Sequence, residues 1–150
     1  MQEAITDRVG LFGAIAASRR NAHSAVFDTS DRSARVNIDY ALGGGDTLYL
    51  GGEFRRGTIV SSGRSSLDDI TIAEVIVPDD AYPARSFFAY RLDATTVIAT
   101  IGYNLRFGNR DSVDFSLRRI ESTPTERPTW SVADDSYVAH QLSVFYLTRF

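Results

Sequence analysis

Few side chains in this sequence could do acid–base or nucleophilic work. There are two histidines, His23 and His140, no Cys, and no Lys among the 16 basic residues, which are all Arg. Without Cys there is no thiolate catalysis, disulfide framework, Cys-ligated zinc or iron–sulfur cluster. Without Lys there is no P-loop phosphate grip, Schiff base or Ser–Lys hydrolysis. His140 has Ser143 three positions on. In a strand that offset points the two side chains to opposite faces, so they form no local base–nucleophile pair. The acidic pairs Asp68-Asp69, Asp79-Asp80 and Asp134-Asp135 could attract a divalent cation, but they lack EF-hand spacing and read as solvated loop charge. Gly43-Gly44-Gly45 has neither the Lys nor the following helix of a phosphate loop and reads as a turn. Arg19-Arg20 and Arg55-Arg56 suit phosphate, which a guanidinium grips with two donors; as isolated pairs they ordinarily serve as surface charge. The expectation is a protein that is not an enzyme, with no catalytic residue, no metal and no cofactor. A net charge of −3 and a pI near 5.3 argue against nucleic acid as a partner.

The elements that hold these residues are strands. Ala34, Val36, Ile38, Tyr40 and Leu42 alternate with Arg35, Asn37 and Asp39, the period of a strand with one apolar and one wet face. Past the Gly43–Asp46 turn, Leu48, Leu50, Gly52 and Phe54 alternate with Tyr49, Gly51, Glu53 and Arg55, completing a hairpin. A second hairpin repeats the design. Val97, Ala99, Ile101, Tyr103, Leu105 and Phe107 form an apolar row, Gly108–Asp111 turns, and Val113, Phe115 and Leu117 alternate with Asp114, Ser116 and Arg118. Six strands are predicted, near 4–18, 34–42, 47–60, 95–107, 113–121 and 138–150. Residues 69–93 form strand extensions and a loop, or hide two further strands with 78–83 as their turn and a second turn near 93–95. With an even count, both chain ends fall at the short-turn end.

The longest stretch without a charged residue, Ser136 to Thr148, is 13 residues. A spanning helix needs about 20, so none is expected; a β-barrel needs only about 9–11 alternating residues per strand. The predicted connections differ in length by end. Two are tight turns, while 19–33, 61–86 and 121–137 are long. The long ones hold 11 of the 19 acidic residues and 6 of the 16 Arg, so this end is acidic.

The final segment, Tyr137 to Phe150, places Leu142, Val144, Tyr146 and Phe150 on one face, with Thr148 between the last two. It resembles the C-terminal β-signal of bacterial outer-membrane β-barrel proteins, an amphipathic last strand ending in Phe; Thr148 stands where a larger apolar residue is usual. The resemblance covers about ten residues and names a class. It implies an all-β, antiparallel up-and-down transmembrane barrel, formed by 1–150 as a single domain or as the C-terminal part of a larger barrel. It further implies a bacterial outer-membrane location, with lipid, lipopolysaccharide and the barrel assembly machinery as partners, and a pore, transport or surface-structural role. Arg35, Asn37, Asp39, Glu53, Arg55, Asp114 and Arg118 would then face the lumen. Tyr40, Tyr103, Phe107, Tyr146 and Phe150 would form an aromatic girdle. Met1-Gln2-Glu3-Ala4 has neither the basic start nor the apolar run of a signal peptide, so an exported form is expected here in mature or truncated form. Two other readings are a soluble all-β sandwich or calyx, and an outer-membrane enzyme with a loop-end site.

Overall fold

The computed structural model describes residues 2–64, 73–78, 87–125 and 136–148. These form one antiparallel sheet. Its strands are β1 (Gln2–Thr6), β2 (Val9–Arg20), β3 (Thr29–Ala41), β4 (Thr47–Arg64), β5 (Val75–Pro78), β6 (Phe87–Phe107), β7 (Asp111–Pro124) and β8 (Tyr137–Thr148). The order across the sheet is β1-β2-β3-β4-β6-β7-β8, with β5 paired to the start of β6. Each neighbour along this path is its neighbour in sequence apart from β5, which is an up-and-down meander. Among the described residues β1 and β8 are not joined, so the sheet is open. Antiparallel pairing reverses direction at every step, so the first and seventh strands of the path run the same way.

Three differences from the sequence expectation have physical causes. The segment 4–18 is two strands, because the chain reverses at Asp7-Arg8; seven strands, not six, form the path, and β1 runs toward the short turns as β8 does. Residues 93–95 are not a turn. β6 runs straight through them, with Asp93, Ala94 and Thr95 opposite Thr58, Gly57 and Arg56. The strands also outlast their apolar rows. Pairing reaches Arg20↔Thr29 and Arg64↔Phe87, since ladder hydrogen bonds come from the backbone whatever the side chain.

The predicted difference between the two ends is present. At one end lie the reversals at 7–8, 42–46 and 108–110; at the other lies the connection 21–28, and there β4 ends at Arg64 and β6 begins at Phe87, and β7 ends at Pro124 and β8 begins at Tyr137. The β3–β4 turn needs glycine, because Gly44 and Gly45 take φ of 87° and 93°, a region that costs other residues a Cβ clash. Of the long connections, 21–28 is pinned by Val26, which is fully buried, and by the Arg91 guanidinium. That group donates to the Ala25 carbonyl at 2.6 Å and pairs with Glu74 at 2.9 Å.

One face of the sheet is an apolar band. Ile38 lies opposite Leu11 and Leu50, Leu50 opposite Ile101, Ile101 opposite Leu117, and Leu117 opposite Leu142. One side chain from each of six strands therefore makes a continuous row. Nothing among the described residues covers it: Ile38, Leu50, Ile101 and Leu117 are 44, 49, 48 and 49 % exposed. Along β6 the row from Val97 to Phe107 covers ten residue steps, about 34 Å of strand, or about 26 Å of height at a 40° tilt. Among the described residues the buried apolar side chains are Val26, Ala89, Leu92, Ala94 and Ile98. The accessible surface is 10710 Å², where a compact monomer of this mass exposes roughly 7,600 Å².

Candidate functional site

Alternation places the opposite side chains of the same strands on the other face, which is concave. A recess of about 440 Å³ there is lined from five strands, β3, β4, β6, β7 and β8. The seven polar residues expected to share a face do so: Arg35, Asn37 and Asp39 from β3, Glu53 and Arg55 from β4, Asp114 and Arg118 from β7. All but Arg55 and Asp114 line the recess directly. Joining them are Tyr49, Thr100, Ser116, Gln141, Ser143 and Phe145. The signal for these was available in the sequence, since each has the parity of a neighbour already placed on this face.

Two arrangements order the floor. In the first, Glu53 is 7 % exposed and held between two guanidiniums. Arg35 Nη2 lies 2.8 Å from Oε2 and Arg55 Nη2 lies 2.9 Å from Oε1. Arg55 Nε is also 3.9 Å from Asp31, and the Ser18 hydroxyl donates to Asp31 in turn. A ladder of alternating charge thus joins β3 and β4 and reaches β2 through Ser18, and both carboxylate oxygens of the buried member are satisfied. In the second, the Tyr49 phenol lies across Gly102 of β6 and donates to Asp114 Oδ1 of β7 at 2.8 Å. Only glycine leaves room for that ring. Arg118, opposite Thr100 and Gln141, makes no ion pair with a described residue.

The short-turn end is also organised. Tyr103, on the apolar face, donates its hydroxyl to Asp46 Oδ2 at 2.7 Å, and Tyr146 donates to Asp111 at 2.9 Å. Asp46 also accepts the Arg106 backbone N–H at 2.9 Å. That bond first, and the Tyr103 hydroxyl second, hold the Asp46 carboxyl below its ordinary range. Tyr103 and Tyr146 thus stand on the apolar face with their hydroxyls turned to the short turns.

Leu142, Val144 and Tyr146 lie together on the apolar face of β8, with partners Leu117, Phe115 and Val113; Phe150 lies outside the described residues. His140 sits opposite Arg119 and Ser143 opposite Ser116, on different faces as the spacing requires. Asp68-Asp69, Asp79-Asp80 and Asp134-Asp135 lie outside the described residues. Among those described, no three His, Asp or Glu side chains converge as a metal site. Comparison with protein-family models, with curated proteins and with solved structures returned no match.

Proposed function

We propose that this chain forms wall of a bacterial outer-membrane β-barrel, its apolar face against lipid and its concave face lining a polar interior. The observation that carries the reading is the uncovered apolar row, continuous across six strands of a single sheet whose other face is charged and hydrogen-bonded. A soluble sandwich would bury that row under a second sheet. Lipid would cover it without one, and its height of about 26 Å compares with the band of about 25 Å typical of such barrels. The short turns would lie on the periplasmic side, the long acidic connections outside, and β8 would carry the signal read by the assembly machinery. The role is that of a pore, transport or surface-structural protein, with Arg35, Glu53 and Arg55 bracing the wall and Arg118 open to the interior.

The test uses the absence of native Cys. Single-Cys variants along β3, β4 and β6, spin-labelled in lipid vesicles, should alternate at every residue. Val36, Ile38, Leu50 and Ile101 should be relaxed by oxygen dissolved in the bilayer. Asn37, Gly51 and Thr100 should be relaxed by a water-soluble nickel chelate. A chain that stays monomeric without detergent, with both sets shielded alike, would overturn the proposal.

A further inference from the structure

The geometry points to a binding site for lipid-borne phosphate on the outer face of the sheet, formed by Arg32 and Arg56 with Arg19 beside them. The inference rests on the membrane reading above and adds a ligand to it. Arg32 of β3 and Arg56 of β4 are direct cross-strand partners. They stand on the apolar face, one pair beyond Ala34 and Phe54 toward the long connections. Side chains so paired have Cβ atoms about 4.5–5.5 Å apart, and like charges there repel unless something neutralises them. Arg19 of β2, opposite Ser30, points to the same face on the next strand. All three line one recess of about 600 Å³.

No described carboxylate pairs with them. Asp31 and Asp93 also border the recess. Asp31, however, pairs with Arg55 at 3.9 Å, and Asp93, in contact with the Thr58 hydroxyl at 3.4 Å, lies beyond ion-pair distance of all three guanidiniums. The contrast within the molecule is clear. Arg35 and Arg55 share Glu53, Arg91 holds Glu74, and Arg119, on the same outer face, holds Glu121 at 2.8 Å. On the outer face beside the apolar band, then, Arg19, Arg32 and Arg56 stand without an ion pair among the described residues. Two adjacent guanidiniums offer parallel donor forks that fit the oxygens of a phosphate group.

A second observation favours phosphate carried on a lipid. Below Arg32, Ala34 lies between Ile15, 90 % exposed, and Phe54, 50 % exposed. The next pair down β3 sets Val36 between Gly13 and Gly52. Ala34 leaves a gap between Ile15 and Phe54, and Gly13 and Gly52 continue it on either side of Val36, itself 46 % exposed. An acyl chain would lie in that gap while its headgroup phosphate sits between Arg32 and Arg56, about 7 Å above Ala34 at two residue steps.

The experiment inserts the full chain into phosphatidylcholine vesicles and then supplies a bis-phosphorylated glycolipid, its dephosphorylated counterpart, or inorganic phosphate. Bound lipid is counted by native mass spectrometry after extraction into detergent. The phosphorylated lipid should bind the wild-type chain about 30-fold more tightly than Arg32→Gln/Arg56→Gln, and about fivefold more tightly than either single variant, at about one unit of headgroup attraction per Arg. Arg119→Gln, which removes a charge already paired on the same face, should bind as wild type does. Equal retention of the dephosphorylated lipid, or undiminished binding by the double variant after normal insertion, overturns the site and leaves the barrel reading standing. Inorganic phosphate binding as tightly as the lipid overturns the lipid assignment. A chain that never enters the vesicles overturns both.

Discussion

Tyr49 and Gly102 are cross-strand partners, and the phenol of the one occupies the space a side chain would need on the other. Through that space the Tyr49 hydroxyl reaches Asp114 on the strand beyond, so one residue ties three strands. Gly102→Ala should destabilise the folded chain by about 1–3 kcal/mol, the usual cost of overpacking. Tyr49→Phe, which keeps the ring and loses the bond, should cost about 0.5–1.5 kcal/mol. Urea midpoints in a lipid-refolding assay check both; a larger loss for Tyr49→Phe than for Gly102→Ala would contradict the geometry.

The two faces predict opposite responses to the same substitution. Ile101→Arg, in the middle of the apolar band, should cost about 2–4 kcal/mol in a bilayer. Thr100→Arg, one residue away on the concave face, should be tolerated. Refolding yield and urea midpoint in vesicles measure the difference, and equal penalties would argue against a lipid-facing row.

Glu53 is buried between Arg35 and Arg55, so removing its charge leaves two guanidiniums facing each other. Glu53→Gln should destabilise by about 1–3 kcal/mol, less than a fully buried pair because both arginines are half exposed. Replacing all three by Leu should recover most of that loss, as apolar substitutes for an ion triad commonly do. Thermal midpoints of the single and triple variants compare them directly.

The lowered pKa of Asp46 gives a pH dependence of known sign. A carboxyl that is more acidic when folded adds stability at pH values above its unfolded value of about 3.9. That contribution declines as pH falls from there through the lower folded value. The gap between wild type and Asp46→Asn should be full at neutral pH and close in acid below about pH 4. A gap unchanged down to strongly acid pH would show that the two hydrogen bonds do not depend on the carboxylate's charge.

Phe150→Asp, in the exported chain, should reduce inserted, heat-modifiable protein far more than a charge placed in the 121–137 segment. Near the interface the charge itself costs only about 0–1 kcal/mol, so a severe loss reports recognition of the last strand. Wild-type insertion would exclude the signal role for Leu142, Val144, Tyr146 and Phe150.

Both hairpins were legible because alternation and glycine turns agree there, as in Ala34–Phe54 and Val97–Leu117. The Asp7-Arg8 reversal was not, since it carries neither Gly nor Pro and its two flanks continue one loose alternation. The upper halves of β4 and β6 were not legible either. Their residues, such as Ser61, Ser62 and Arg91, pair through backbone groups that side-chain patterning does not register. For the concave face, parity alone located all seven polar residues. Which of them touch depends on register, and the Arg35–Glu53 pair and the reach of Tyr49 over Gly102 need the pairing of β4 with both neighbours.

The shared direction of β1 and β8 limits what can turn this sheet into a tube. Antiparallel closure requires an odd number of added strands, the first and last running against β1 and β8. Seven plus any odd number is even, the count found in bacterial single-chain barrels. A second copy in the same orientation cannot supply them, because it too begins and ends on strands running as β1 and β8 do. The opening between β1 and β8 therefore has a polarity, and antiparallel closure across it admits only an occupant that enters it the other way up.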